Sequence, residues 1–147
     1  TVGYSGSFHA EMTGAQNARF VARIYGVDSD ELTDFVQDFA EIGEHFQMPV
    51  RTYSSGMKSR LAFGISMGIP FDTYLIDEVT ATGDARFKRK SRRIFRERMK
   101  KSSAIMVSHS MKDIRGFCDA GLVLHEGEIE VYDEVEDAIK RHEKLSS

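Results

Sequence analysis

Residues 52–59 read TYSSGMKS. Ser54, Ser55 and Gly56 stand directly before Met57 to Ile69, a segment in which Met57, Leu61, Ile65 and Ile69 recur every four positions. That recurrence is one stripe of a helix. Small residues at a helix start leave backbone N–H groups unpaired beside the positive end of the helix dipole, a place that binds anions and phosphate above all. A serine there is also a common N-cap, its hydroxyl accepting from a first-turn N–H. These residues alone leave both roles open, and the rest of the chain has to decide between them.

The composition is that of one soluble globular domain: 147 residues, 41% hydrophobic and 29% charged. A net charge of -3 gives no overall push toward nucleic acid. One cysteine, Cys118, excludes an internal disulfide framework and fits a reducing compartment. The most apolar stretch, Leu61 to Phe71, is too short to span a membrane and is broken by Gly and Pro. The opening TVGYSGSF carries neither an initiating Met nor a secretory pattern and reads as the interior of something longer.

Along the chain, Thr13 and Gln16 form a capping-box pattern that starts a helix with Phe20, Val21 and Ile24 on its apolar face, and Gly26 ends it. A second helix is predicted from Ser29 to Ile42, with Leu32, Phe35, Val36, Phe39 and Ile42 inward. After the helix that follows Ser54 the character changes. Thr73 to Ile76 (TYLI) is a short apolar run ending in Asp77 and Glu78, and Ala104 to Val107 (AIMV) is another, ending in Ser108 and His109. A long basic helix, about Ala85 to Lys101, lies between them. Apolar runs alternating with helices predict an α/β fold with parallel strands covered on both faces. A short helix at Met111 to Phe117, a hairpin turning at Glu126-Gly127 and a terminal helix with Val135, Ala138, Ile139 and Leu145 inward complete the pattern.

Open parallel sheets bind ligands at the carboxyl ends of their strands, where Asp77-Glu78 and Ser108-His109 fall. An apolar strand ending in two carboxylates has a logic in nucleotide hydrolysis: the first holds Mg²⁺, usually through water, and the next orients or deprotonates the attacking water. The same pair also suits the start of a solvated loop, and a lone His is more often structural.

The order of these features carries more than any one of them. YSSGM (Tyr53 to Met57) resembles the signature motif of the ATP-binding subunits of ABC transporters, and YLIDE (Tyr74 to Glu78) their Walker B strand. ATGD (Ala81 to Asp84) resembles the D-loop, and SHS (Ser108 to Ser110) the switch-histidine loop. YSSGMKSRLAF, YLIDEVTATGDARF and CDAGLVLHEGEIEVY are similar to the branch that exports capsular polysaccharide and related surface glycans from bacteria. The resemblance implies a P-loop NTPase-type ABC ATPase domain truncated at its N-terminus. A helical subdomain with the signature motif would occupy 12–69, and Walker B, D-loop, switch histidine and C-terminal hairpin and helix 70–147. It implies that Ser54 supplies a hydroxyl, and Ser55, Gly56 and Met57 the helix start, to the γ-phosphate of an ATP held by the opposite subunit of a homodimer. Asp77 would hold Mg²⁺ through water, Glu78 and His109 would be catalytic, and Asp84 would be the D-loop acid. Ser55 replaces a more usual glycine and Met57 a more usual glutamine, departures similar to those of the glycan-exporting branch.

No lysine follows a glycine anywhere in the chain, so the P-loop pattern G-x-x-x-x-G-K-[ST] is absent. In the family that motif lies upstream of Thr1, which implies that residues 1–147 alone bind ATP weakly and do not turn it over. The Q-loop position carries no Gln, and Ser7 or His9 would stand in for it. The resemblance further implies a separate membrane permease, docked through Phe8 and Met12 at the cytoplasmic face of the bacterial inner membrane. Ten of the 20 Lys and Arg residues lie between Arg86 and Lys101, with Glu97 the only acid. That run suits a solvated helix face or contact with a membrane surface, and it keeps a DNA-associated ATPase of the SMC or repair type as the alternative, although no heptad run of a coiled coil accompanies it. A non-hydrolysing regulatory module is the third class, disfavoured by the intact Glu78 and His109.

Overall fold

The computed structural model describes residues 8–77 and 84–146. Its first helices begin where a side chain can hold their orphan N–H groups. Thr13 caps α1 (Gly14–Tyr25): its hydroxyl accepts from Gln16 N at 3.1 Å, and Gln16 Oε1 accepts from Thr13 N at 2.9 Å. Gly26 closes α1 with φ 68°, the left-handed conformation glycine adopts freely. Asp28 caps α2 (Ser29–Ala40) by accepting from the N–H groups of Asp30 and Glu31. The apolar period carries this helix on to Ile42, but it ends at Ala40 because Glu41 turns left-handed, φ 50°. Ile42 is buried all the same, outside the helix.

Two 3₁₀ turns, Gly43–Gln47 and Val50–Thr52, lead into α3 (Ser55–Gly68). The order continues β1 (Thr73–Asp77), α4 (Ala85–Met99), β2 (Ser103–Val107), α5 (Met111–Phe117), β3 (Gly121–His125), β4 (Glu128–Tyr132) and α6 (Val135–Leu145). Strands β1 and β2 are neighbours in one sheet, and β3 and β4 form a second. Among the described residues the chain divides into two compact units, one of 8–76 with 84–105 and the other of Asp77 with 106–146.

The first unit is a helical core. Ala15, Ala18 and Ala22 of α1, Leu32, Val36 and Ala40 of α2, and Leu61 and Ile65 of α3 share one apolar cluster with Phe46, Val50 and Tyr53. The small residues let the backbones approach. An atom added to Gly64 would lie 3.0 Å from the Phe39 ring, and one added to Gly68 would strike Leu32 and Phe35. Helix α3 is buried well beyond the four-residue stripe its sequence shows, since Ala62, Phe63 and Met67 are enclosed too. It packs against α1, α2 and α4 together, so no broad face is left for water.

The second unit hangs on a hairpin. Leu122 pairs with Val131 and Leu124 with Ile129 in antiparallel register, and the turn at Glu126-Gly127 has positive φ at both residues, 49° and 85°. Two positive φ values give a turn whose twist matches the strands. Val123 faces inward, and Gly121 lies so close to Ala138 of α6 that no side chain fits there. Arg141 of α6 grips Glu130 of β4 with both nitrogens, at 2.7–3.0 Å, and the Tyr132 hydroxyl donates to the same carboxylate. These bonds, the one from Arg141 first, hold Glu130 down to about 2 from an ordinary 4.5. A carboxylate depressed in the fold stabilises it above the unfolded value and loses that effect as pH falls through the folded one. Acidification from 4.5 toward 2 should therefore loosen α6 from β4, and Arg141→Met should remove that step when α6 amide shifts are followed by NMR.

Two expectations about burial fail. Phe20 and Ile24 are exposed, and α1 turns its alanines inward instead. Among the described residues, neither sheet is covered on both faces. Tyr74 and Ile76 of β1 are buried, but Leu75 between them is 52% exposed, and Ile105 and Val107 of β2 are exposed as well. The outward face of the hairpin carries Leu122, Leu124, Ile129 and Val131, all more than half exposed. The apolar character of these strands is as the sequence has it. Among the described residues, nothing packs on that second face.

Candidate functional site

The start of α3 is fixed from behind by Tyr53. Its ring is buried, its hydroxyl donates to the His45 carbonyl at 2.6 Å, and burial pushes its pKa up. The hydroxyl occupies the space a side chain on Gly14 would need, so the segment entering α3 is seated directly on α1. Ser54 then caps the helix: its Oγ accepts from Met57 N at 3.2 Å, and its carbonyl accepts from Lys58 N at 3.0 Å. The N–H groups of Ser55 and Gly56 precede the helical ladder and have no place in it. Ser54 and Ser55 are exposed, and nothing but Ser54 Oγ comes within 4 Å of an atom added to Gly56. The cap and the anion site are therefore compatible. A hydroxyl has one proton to donate and two lone pairs, so accepting from Met57 leaves the Ser54 proton available to a phosphate oxygen.

Asp84 begins α4 in the same way. Its carboxylate accepts from Phe87 N at 2.9 Å, and that bond, ahead of the nearby Arg60 and Arg86 charges, lowers its pKa. The loop before α1 is held by a residue that periodicity does not reveal. Asn17, 1% exposed, accepts from His9 N at 2.9 Å and donates to the carbonyls of His9 and Thr13 at 3.1 and 3.0 Å. Met12 O and Ala10 O accept from Val50 and Arg51, tying this loop to the approach of α3. His9 is exposed, its ring edge-on to Phe20 at 6.1 Å, and Phe8 packs partly against the apolar cluster. Met12 is half-buried.

In the second unit, Asp77 is exposed as the last residue of β1. His109 is exposed in the loop after β2. Ser108 Oγ accepts from Ser110 N at 3.0 Å, and Ser110 caps α5 by accepting from Asp113 N at 3.3 Å, so both flanking serines shape the loop. Glu78 and Ser7 lie outside the described residues. No group of three or more His, Cys, Asp or Glu able to hold a metal occurs among the described residues. Among the described residues, the exposed Asp77 carboxylate is of the kind that can hold a hydrated magnesium ion. Among the described residues no helix is long and apolar enough to cross a membrane.

The fold matches a solved structure described as an ATP binding subunit of an ABC transporter, with TM-score 0.78 over 94% of this chain and 59% of that one at 20% identity. In sequence, the chain is 49% identical over 146 residues to a polysialic acid transport ATP-binding protein of Escherichia coli, covering 97% of this chain and 67% of the relative. The chain belongs to the ATP-binding subunits of ABC transporters, in the capsule-polysaccharide export branch. A second Escherichia coli protein of the same description is 52% identical over 124 residues, 83% of this chain and 55% of that one. The capsule polysaccharide export ATP-binding protein of Neisseria meningitidis serogroup B is 42% identical over 142 residues, 97% of this chain and 66% of that one. No protein-family model matches. The ABC subunit described here thus spans 55% to 67% of the length of these relatives. Two are named for polysialic acid transport and one for capsule polysaccharide export, which leaves the DNA-associated alternative without support.

Proposed function

We propose that the protein carrying this chain hydrolyses ATP to drive a capsular polysaccharide or related surface glycan across the bacterial inner membrane. It would do so as a homodimer on the cytoplasmic face, coupled to a separate membrane permease. The observation that carries this is the start of α3. The exposed Ser54 and Ser55, followed by Gly56, with a hydroxyl proton and two N–H groups to spare, open a helix in a chain whose relatives are named as ATP-binding proteins of polysialic acid transport and capsule polysaccharide export.

The chemistry follows from the residues. Ser54 Oγ and the N–H groups of Ser55 and Gly56 hold the γ-phosphate of a nucleotide presented by the second copy, with the dipole of α3 behind them. Met57 closes the first turn and keeps Ser54 in its rotamer. Asp77 would hold Mg²⁺, and that ion when bound would supply charge neutralisation on the phosphates. Glu78 takes the proton of the attacking water, and His109 keeps that water and the γ-phosphate in register. Asp84, the D-loop acid, caps α4. Ser7 or His9 would serve where the family's Q-loop glutamine stands. The permease would dock at the loop containing Phe8 and Met12, which Asn17 and residues 50–51 hold in place.

Ser54→Asp in the full-length protein is a direct test. Aspartate caps helices as well as serine, so α3 keeps its start, but a carboxylate meets the γ-phosphate and repels it. ATP-driven dimerisation in size-exclusion chromatography should be lost. Hydrolysis should fall about 100-fold or more, the scale of losing a positioned donor to a developing charge. Ser54→Asn, a neutral cap, should lose much less. A Ser54→Asp protein that dimerises on ATP and hydrolyses it like wild type would refute the assignment.

A further inference from the structure

The left-handed Glu41 is the visible sign of a junction that the family motifs do not include. The last three carbonyls of α2 would be orphans at a helix C-terminus, the negative end of its dipole. Two cations from other helices meet them. Lys90 of α4 donates to the carbonyls of Asp38 at 2.8 Å and Phe39 at 3.1 Å. Arg60 of α3 reaches the carbonyl of Ala40 at 3.5 Å. Glu41 completes the junction by pairing with Lys90 at 2.7 Å and with Arg86 of α4. The Arg60 guanidinium carbon also lies over the ring of Phe87, 4.2 Å from its centre, and that ring packs on Phe39 at 5.2 Å. A glutamate holds a left-handed backbone only where its surroundings fix it, and here both of its partners lie on α4.

The cations sit at matching places. Arg60 lies six residues after Ser54, the cap of α3, and Lys90 six residues after Asp84, the cap of α4. Each helix segment between cap and cation is rigid and about 9 Å long. Fixing both cations on one helix end therefore fixes the two caps with respect to each other. We propose that Lys90, Arg60 and Glu41 are positioning residues that join the signature helix and the helix after the D-loop into one rigid element, so that Ser54 is held in place for the γ-phosphate. This rests on the ATPase function proposed above. It adds residues outside YSSGM and ATGD, drawn from two helices and the turn that ends a third, up to 49 positions apart in the chain.

The test uses the full-length protein with Lys90→Met, which keeps the apolar stem and removes the donor, beside Lys90→Arg, which keeps the charge. Lys90→Met should lower kcat for ATP about tenfold or more, as misplacement of a reacting group does, with KM for ATP unchanged. Lys90→Arg should recover most of it. Glu41→Gln, a milder change at the exposed end of the junction, should lower kcat in the same direction and keeps the test alive if Lys90→Met fails to fold. Amide exchange in the first turn of α4 should quicken in both Lys90→Met and Glu41→Gln. Unchanged kcat with only a lower melting temperature would show a purely structural junction and overturn the proposal. So would equal losses in Lys90→Met and Lys90→Arg. Wild-type protein without any ATP turnover is a separate outcome, because it removes the ATPase function itself and the positioning role with it.

Discussion

Glu78→Gln in the full-length protein should bind ATP as wild type does and hydrolyse it about 10²–10⁴-fold more slowly. The amide keeps the size and hydrogen-bonding reach of the side chain but cannot accept the proton of the attacking water. Only an interaction of the transition state is lost, so kcat falls while nucleotide affinity stays. With closure intact and turnover blocked, the variant should accumulate as an ATP-bound dimer, visible as a shift in elution volume that ADP does not produce. His109→Ala should act on the same step and reduce hydrolysis more than binding. A Glu78→Gln protein with near wild-type turnover would take Glu78 out of its role and return Asp77-Glu78 to a solvated strand end.

Phe39→Ala should be the most damaging single truncation in the first unit. Phe39 is 2% exposed and sits where three helices meet, stacked on Phe63 at 5.5 Å, beside Phe87 at 5.2 Å and against the bare backbone of Gly64. Removing a ring from such a site costs about 3–5 kcal/mol, a large share of the roughly 5–15 kcal/mol that holds a domain together. The melting temperature should fall on the order of 10 °C. Phe20→Ala is the control. Phe20 is 45% exposed on α1, and its loss should cost no more than about 1 kcal/mol. Equal losses in the two variants would show that the packing centre lies elsewhere.

Local chemistry was the most legible part of this chain. Thr13 with Gln16, and Ser54, each start a helix through a side chain placed three residues from what it bonds, and the Glu126-Gly127 turn needs only its own two residues. The family motifs are readable for the same reason, as short strings whose order is enough. The long-range polar ties were not. Lys90 finds carbonyls at 38 and 39, and Asn17 finds His9, through geometry that exists only once the helices are packed. The end of α2 was missed because no glycine marks it. Glu41 adopts the left-handed turn that glycine usually supplies, and a pair of cations far along the chain holds it there. Coverage of the strands was misjudged on different grounds. Apolar runs say that a strand has two faces suited to burial, and they do not say what covers each one.

The bare face of the β3–β4 hairpin has a consequence for the polypeptide in a cell. Leu122 and Val131, with Leu124 and Ile129 beside them, present paired aliphatic side chains to water along two strands that pair only with each other among the described residues. A flat aliphatic surface of this kind is what chaperones and proteases recognise in unfinished proteins, and what nucleates aggregates at the concentrations of overexpression. Residues 1–147 produced by themselves should therefore be held by chaperones and aggregate on concentration, through this face.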